Sequence, residues 1–440
     1  MKRSQLLNNI FCFVLILSVK TFSIAQTSVL RVEDAVKIGL EKSFDIQILR
    51  NEELMAANNN TPARAGMTPT VSSTGTVSYA VNNTVQKLFS GDIRAVPNAA
   101  TFNTRVGVEA VWTLYDGWRM YAIRDRLFAN EQQSRARTTA QMQAMAADIT
   151  LAYYNIVQLE QTSDNLRYAV SLDRDLLNLV QAKKTIGSAT GLELLQSRSR
   201  LTADSARLVQ QEADIKRFYM SFNQLLNRSV DEKFRVDTTL STQMVLTLDE
   251  LLTSAKQANP DVMLSKLNQQ VAMLNTKEIK GQFKPELDLT GALNYSYQRN
   301  AVGFALSNRN LGPVFGLTAR YPIYDGQLRK QNLANSKIVE ENTKLQLDEL
   351  MYNLEAQIRT RYSDYQSLKQ LRDLEEANLK VSTDQANLAR ELYRLGKITN
   401  FEVRESTLQE VQARDRTIQA WFRLKQVEIG LLDLAGMKMF

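Results

Sequence analysis

Two kinds of periodicity alternate along this chain, and each occurs twice. Period-two alternation appears first at about 69–81, where Val71, Ser73, Gly75, Val77, Tyr79 and Val81 share one face and Ser72, Thr74, Thr76 and Ser78 the other. A second such run at about 104–115 sets Val106, Val108, Ala110, Trp112 and Leu114 against Arg105, Glu109 and Thr113. Both read as strands with one apolar and one polar face. From Gly117 the period becomes helical: Met145, Ile149, Ala152, Ile156, Leu159, Leu166, Ala169, Leu172, Leu176 and Val180 recur mainly at steps of three and four. That spacing predicts a long helix with a narrow, coiled-coil-like apolar stripe.

The whole pattern then repeats. Leu30 to Ala35 resembles Leu246 to Leu251, and Pro69 and Gly75 match Pro285 and Gly291 at the same offset. Leu114-Tyr115-Asp116-Gly117 matches Ile323-Tyr324-Asp325-Gly326, and Ile186-Gly187 with Thr190 and Glu193 matches Leu395-Gly396 with Thr399 and Glu402, at an offset seven residues shorter. The difference falls between Gly75 and Tyr115, which points to a shorter external loop in the second copy. Copy one (26–227) is expected to contain an amphipathic helix at about 32–58, strands at 69–81 and 104–115, a long helix at 117–186 and a second helix at 190–227. Copy two (248–440) is expected to contain a helix at 248–280, strands at 285–298 and 311–324, a long helix at 326–395 and a last helix at 399–435. The segment 228–247 joins them, and the loops 82–103 and 299–310 would be the external turns.

In both copies the two glycines bounding the long helix lie 70 residues apart, so each helix would run roughly 100 Å. A solvated rod or the wall of a water-filled helical cylinder would suit such narrow stripes. Gly187 and Gly396 fit helix C-caps, with Thr190 and Thr399 as N-caps of the helices that follow. Asp116 and Asp325 fit caps at the strand-to-helix junctions better than catalytic acids.

Composition narrows the chemistry. Lys2 and Arg3 precede an apolar core from Ile10 to Leu17, and Ser23-Ile24-Ala25 supplies small residues for cleavage, so residues 1–25 read as a signal peptide. Cys12, the only cysteine, lies in that segment, and the chain has no histidine. A mature chain without either has no disulfide framework, no usual zinc site and no Cys/His or Ser/His/Asp nucleophile system. No cofactor or metal is expected. Losing Lys2, Arg3 and Lys20 lowers the net charge from +7 to +4, too weak and dispersed for nucleic acid. No later stretch could cross a bilayer as a helix, so membrane entry would require strands in a closed barrel. Alternation of this kind also suits a sheet packed on a water-soluble core, which is the commoner case. The export signal and the repeat favour the barrel. Four strands cannot close one, since the smallest have eight, so several chains would contribute.

The element order, the duplication, the Tyr-Asp-Gly after the second strand and the Ile-Gly and Leu-Gly turns resemble the TolC-like outer-membrane efflux protein family. The resemblance covers nearly the whole mature chain. It implies a mainly α fold with a small β part, assembled as a homotrimer into a twelve-stranded barrel continued by a periplasmic α-helical barrel. It further implies a passive outer-membrane exit duct, without enzymatic activity, for efflux or type I secretion. Its partners would be outer-membrane lipid, a periplasmic adaptor and an inner-membrane transporter. The competing reading is an exported coiled-coil structural or adaptor protein without a pore; a carboxylate-based hydrolase is more remote.

The resemblance also assigns roles to residues. Ile186, Gly187, Ser188, Leu395, Gly396 and Lys397 would dock the adaptor. Glu402 and Glu405, three residues apart and hence on one helix face, would form the pore constriction as six carboxylates in a trimer. Mutual repulsion there should raise some of their pKa values and attract cations. On an exposed helix the same pair is an ordinary solvated face. Tyr393 and Glu193 would make the tip-closing contact. Ile398 stands where the family pattern has an arginine, so the closing network is altered. Only copy two has the glutamate pair; copy one has Glu193 and then Gln196.

Overall fold

The structure, a computed structural model, describes residues 29–239 and 247–438. The expected signal peptide, part of the connecting segment and Phe440 lie outside the described residues. Copy one comprises β1 (Val29–Leu30), α1 (Val32–Lys42), α2 (Phe44–Asn59), β2 (Thr70–Lys87), β3 (Ile93–Tyr115), α3 (Arg119–Thr185) and α4 (Gly191–Leu225). After β4 (Arg235–Val236), copy two comprises α5 (Leu248–Ala258), α6 (Pro260–Gly281), β5 (Glu286–Asn300), β6 (Ser307–Arg320), α7 (Leu328–Arg394) and α8 (Asn400–Leu434).

The expected long helices are present at 67 residues each, which is about 100 Å of rod. The opening amphipathic helix of each copy is broken in two. Ser43 ends α1 and accepts a hydrogen bond from the Ile46 amide, which starts α2. Asn259 does the same for α6, accepting from the Asp261 and Val262 amides ahead of Pro260 at the first helical position. Proline cannot continue α5, and the short polar side chains cap the new axis.

β2, β3, β5 and β6 form one antiparallel sheet in that order. The first hairpin departs from expectation. Strands continue through most of 82–103, pairing Thr84 with Val96 through Lys87 with Ile93 and leaving a turn at Leu88–Asp92. A bulge near Asn82, with Asn98 left-handed and its amide bonded to Asn83 Oδ1, carries the ladder past Pro97. The extra length of copy one therefore lies largely in paired strand. In copy two only 301–306 turns, and β6 stops at Arg320 before Pro322, short of the expected 324.

Register makes the faces unambiguous. Tyr79 pairs with Phe102, Phe102 with Arg299, and Arg299 with Ser307; Val71, Ala110, Gly291 and Phe315 form an equivalent row. One continuous apolar face results. The opposite face carries Ser, Thr and Asn with Arg105, Glu109, Asp288 and Arg320. Among the described residues no helix covers the apolar face, where Leu311 is 72% and Phe315 82% exposed. A sheet packed on a water-soluble core would bury them.

Buried contacts are strung along the helices as separate clusters. One gathers Val36, Ile149, Tyr153, Phe222 and Phe234, and its repeat counterpart gathers Leu251, Leu354, Ile358, Leu424 and Leu431. The first is belted by β1 and β4, which pair in parallel. The Tyr153 hydroxyl donates to Leu30 O and accepts from the Asp237 amide, each at 2.9 Å, fastening both strands to the middle of α3. A third cluster lies at the far end, beside the two helix hairpins.

Candidate functional site: the helical tip and the sheet lumen

The far ends of α3 and α7 terminate alike. Gly187 (φ 77°) and Gly396 (φ 74°) take the left-handed conformation. Their amides bond to Lys184 O and Tyr393 O, while the next amides, of Ser188 and Lys397, reach back to Lys183 O and Leu392 O at 2.8 and 2.9 Å. This six-residue closure satisfies carbonyls that a helix end would leave open. No side chain approaches either glycine, so the backbone conformation, and not crowding, demands glycine there. Ile186 and Leu395 project into solvent at 76% and 64% exposure. The six residues expected to dock an adaptor thus form two similar, exposed turns.

The next helices start with matched capping boxes. Thr190 accepts from the Glu193 amide and Glu193 from the Thr190 amide; Thr399 and Glu402 repeat the exchange. The Glu402 carboxylate takes the Thr399 amide at 2.7 Å and the Thr399 hydroxyl at 2.8 Å. These bonds, the backbone one foremost, lower its pKa. Within one protomer this is opposite in sign to the shift expected from clustered acids, because the cap stabilises the ionised form. Glu405 is exposed one turn on and accepts only from Gln409 of its own helix, at 3.0 Å.

Tyr393 is brought near Glu193 but not bonded to it. The tyrosine is 4% exposed, its hydroxyl has no hydrogen-bond partner within the protomer, and its pKa is raised by burial and then by the Glu193 charge. Its ring instead lies under Lys183 Nζ at 3.9 Å, and that ammonium also donates to Tyr393 O. Val180, Ala389 and Val403 surround the ring with Leu176, Leu194 and Ile398. Ile398, the departure from the expected arginine, is therefore part of an apolar clasp joining the hairpin of copy one to that of copy two.

Two charge networks at the same helix contacts escaped the sequence reading. Asp173, 3% exposed, sits 2.9 Å from Arg200, which also approaches Asp204 at 3.9 Å. Burial pushes the Asp173 pKa up to about 7; Arg200 opposes the rise and Asp204 adds to it. Arg200 also donates to Arg404 O, and Arg404 to Gln196, so the network ties α4 to α8. Farther along, Glu410 is 0% exposed and is held by Tyr168 at 2.8 Å and Arg390 at 3.0 Å, with Arg414 at 3.6 Å. A signal existed for Asp173: it interrupts the apolar stripe of α3, one heptad before Val180.

Residues 251–437 match the family described as outer membrane efflux protein. The matched stretch is the second copy of the repeat. The whole fold agrees: CusC superposes with a TM-score of 0.78 at 16% identity, covering 92% of each chain. VceC of Vibrio cholerae gives 0.74 at 13% identity, covering 93% of this chain and 97% of its own. The CmeC outer membrane channel of Campylobacter jejuni gives 0.74 at 14%, covering 92% and 85%. Comparison with curated protein sequences gives no match. Among the described residues no helix is long and apolar enough to cross a membrane.

Proposed function

We propose that three copies of this chain, with the sheet in the outer membrane and the long helices in the periplasm, close a twelve-stranded barrel and a helical tunnel, forming the passive exit duct of a tripartite efflux or type I secretion system. The observation that carries the proposal is the uncovered amphipathic sheet. Among the described residues its edge strands, β2 and β6, lack outer partners and its apolar face has no cover. Edge pairing between copies satisfies the strands, and lipid covers the face. Two copies would give eight strands, an interior that side chains fill; three leave a passage. A pore-free coiled-coil rod has no use for such a sheet.

At the other end, the exposed turns Ile186-Gly187-Ser188 and Leu395-Gly396-Lys397 dock the periplasmic adaptor, which links the duct to an inner-membrane transporter. Glu402 and Glu405 form the constriction, with Glu405 the less committed of the two. The apolar clasp around Tyr393 holds the tip closed together with the tip contact of Tyr393 and Glu193. The test is purification from outer membranes in detergent, followed by sizing and conductance in planar bilayers. A trimer that conducts, more strongly once the clasp is cut, is expected. A monomer silent both as wild type and with the clasp cut would sink the proposal.

A further inference from the structure

The apolar face of the sheet ends, at its outer rim, in charge. From Leu287 to Tyr297 it rises about 25 Å for a strand tilted as in known barrels, the height of a hydrocarbon band. Tyr79, Phe102 and Tyr297 close that band as an aromatic girdle, with Phe102 and Tyr297 edge-to-face at 6.3 Å. Two arginines stand on the same face at this level or just above it. Arg309 is directly opposite Tyr297 and Arg299 directly opposite Phe102, so the two are diagonal neighbours on adjacent strands, roughly 7–8 Å apart.

Neither arginine has a carboxylate partner among the described residues; Arg309 only lies over the Tyr297 ring at 5.4 Å. The acids nearest in the strands, Glu109 and Asp288, are on the opposite, lumen face. A groove of about 550 Å³ opens here, lined by the three aromatic residues with Arg299, Asn300 and Leu306, and Arg309 stands outside its lining, over the far side of the Tyr297 wall. An unpaired guanidinium facing hydrocarbon is costly, but at the headgroup level it meets anionic oxygen, and a forked pair of donors suits phosphate.

We propose that this groove is a built site for the phosphate of an outer-leaflet lipid headgroup, one per protomer, with Arg299 and Arg309 on the phosphate and the aromatic floor under the first acyl carbons. The inference rests on the barrel reading above, since lipid reaches this face only if the face points outward. Lipid is chosen over free phosphate because the groove lies on the apolar side and its floor is aromatic.

The test uses the full protein in phosphatidylcholine nanodiscs with and without phosphatidic acid, reading retained lipid by native mass spectrometry after gentle release. The wild type should keep one phosphatidic acid per protomer. R299Q/R309Q should retain at least tenfold less, since each charge-assisted contact alone is worth about that factor. R105Q, on the lumen face, should retain as much as wild type. Equal retention by the double variant, equal loss in R105Q, or displacement of the lipid by inorganic phosphate at matched concentration would each overturn the proposal. If the double variant fails to insert, R299Q alone must show a several-fold loss, and unchanged retention there also overturns it. A conducting trimer that keeps no phosphatidic acid defeats only this inference; absence of a conducting trimer defeats the duct reading first.

Discussion

Raising the pH from about 5.5 to about 7.5 should loosen the helical tip, and Asp173→Asn should abolish the effect. Asp173 has its pKa raised from 3.8 to about 7, chiefly by burial. Below 3.8 both folded and unfolded chains hold the proton. Between 3.8 and about 7 only the folded chain holds it, so its stabilisation is full below 3.8 and is lost as pH rises through 7. Over the chosen interval the linkage amounts to about 2 kcal/mol, and solvent screening reduces that to about 1 kcal/mol. Hydrogen exchange of the amides of α3 and α4 flanking Asp173 and Arg200 reads this directly. Protection, corrected for the intrinsic pH dependence of exchange, should fall about fivefold in the wild type and stay flat in Asp173→Asn. Flat wild-type protection, or the same fall in the variant, would refute the argument that burial keeps a proton on Asp173.

Three further outcomes are expected. Gly187→Val or Gly396→Val places a β-branched residue at a positive φ, at a cost of about 1–2 kcal/mol confined to the turn; trimer insertion should survive while adaptor crosslinking and transport fall. Glu405→Ala, alone or with Glu402→Ala, should weaken cation preference and cation block of the channel. Glu402→Ala should in addition increase hydrogen exchange at the start of α8, because only Glu402 belongs to the capping box. Glu410→Gln weakens charge-assisted contacts to Arg390 and Arg414, whose side chains keep partial access to water, so a destabilisation of about 1.5–3 kcal/mol should appear as a lower midpoint of thermal unfolding.

Much of the architecture was legible before any coordinates, because the rules that produce it act over a few residues. Alternation at Val71–Val81 and Leu287–Tyr297 needed only the two-residue repeat of a strand, and register later joined those positions into one face. Gly187 and Gly396 could be read as caps because few other residues tolerate a left-handed helix end. The errors also have local causes. Asn82, Asn83, Pro97 and Asn98 resemble a loop in composition, yet here they build a bulge inside a longer hairpin. The single helix expected at 248–280 ran through Pro260, which instead starts a new helix.

By itself, then, the sequence determined the duplication, the amphipathic strands, the 67-residue helices and the turns that end them, since each follows from periodicity or from one residue's backbone preference. The tertiary structure alone decided which side chains meet. It placed Lys183 against Tyr393, left that hydroxyl without a hydrogen-bond partner within the protomer, buried Glu410 against Tyr168, and paired Asp173 with Arg200 across two helices. The physical reason is range. Strand and helix patterning is written in neighbours along the chain. Whether a charge is buried or paired depends on helices that pack together from residues as much as two hundred positions apart.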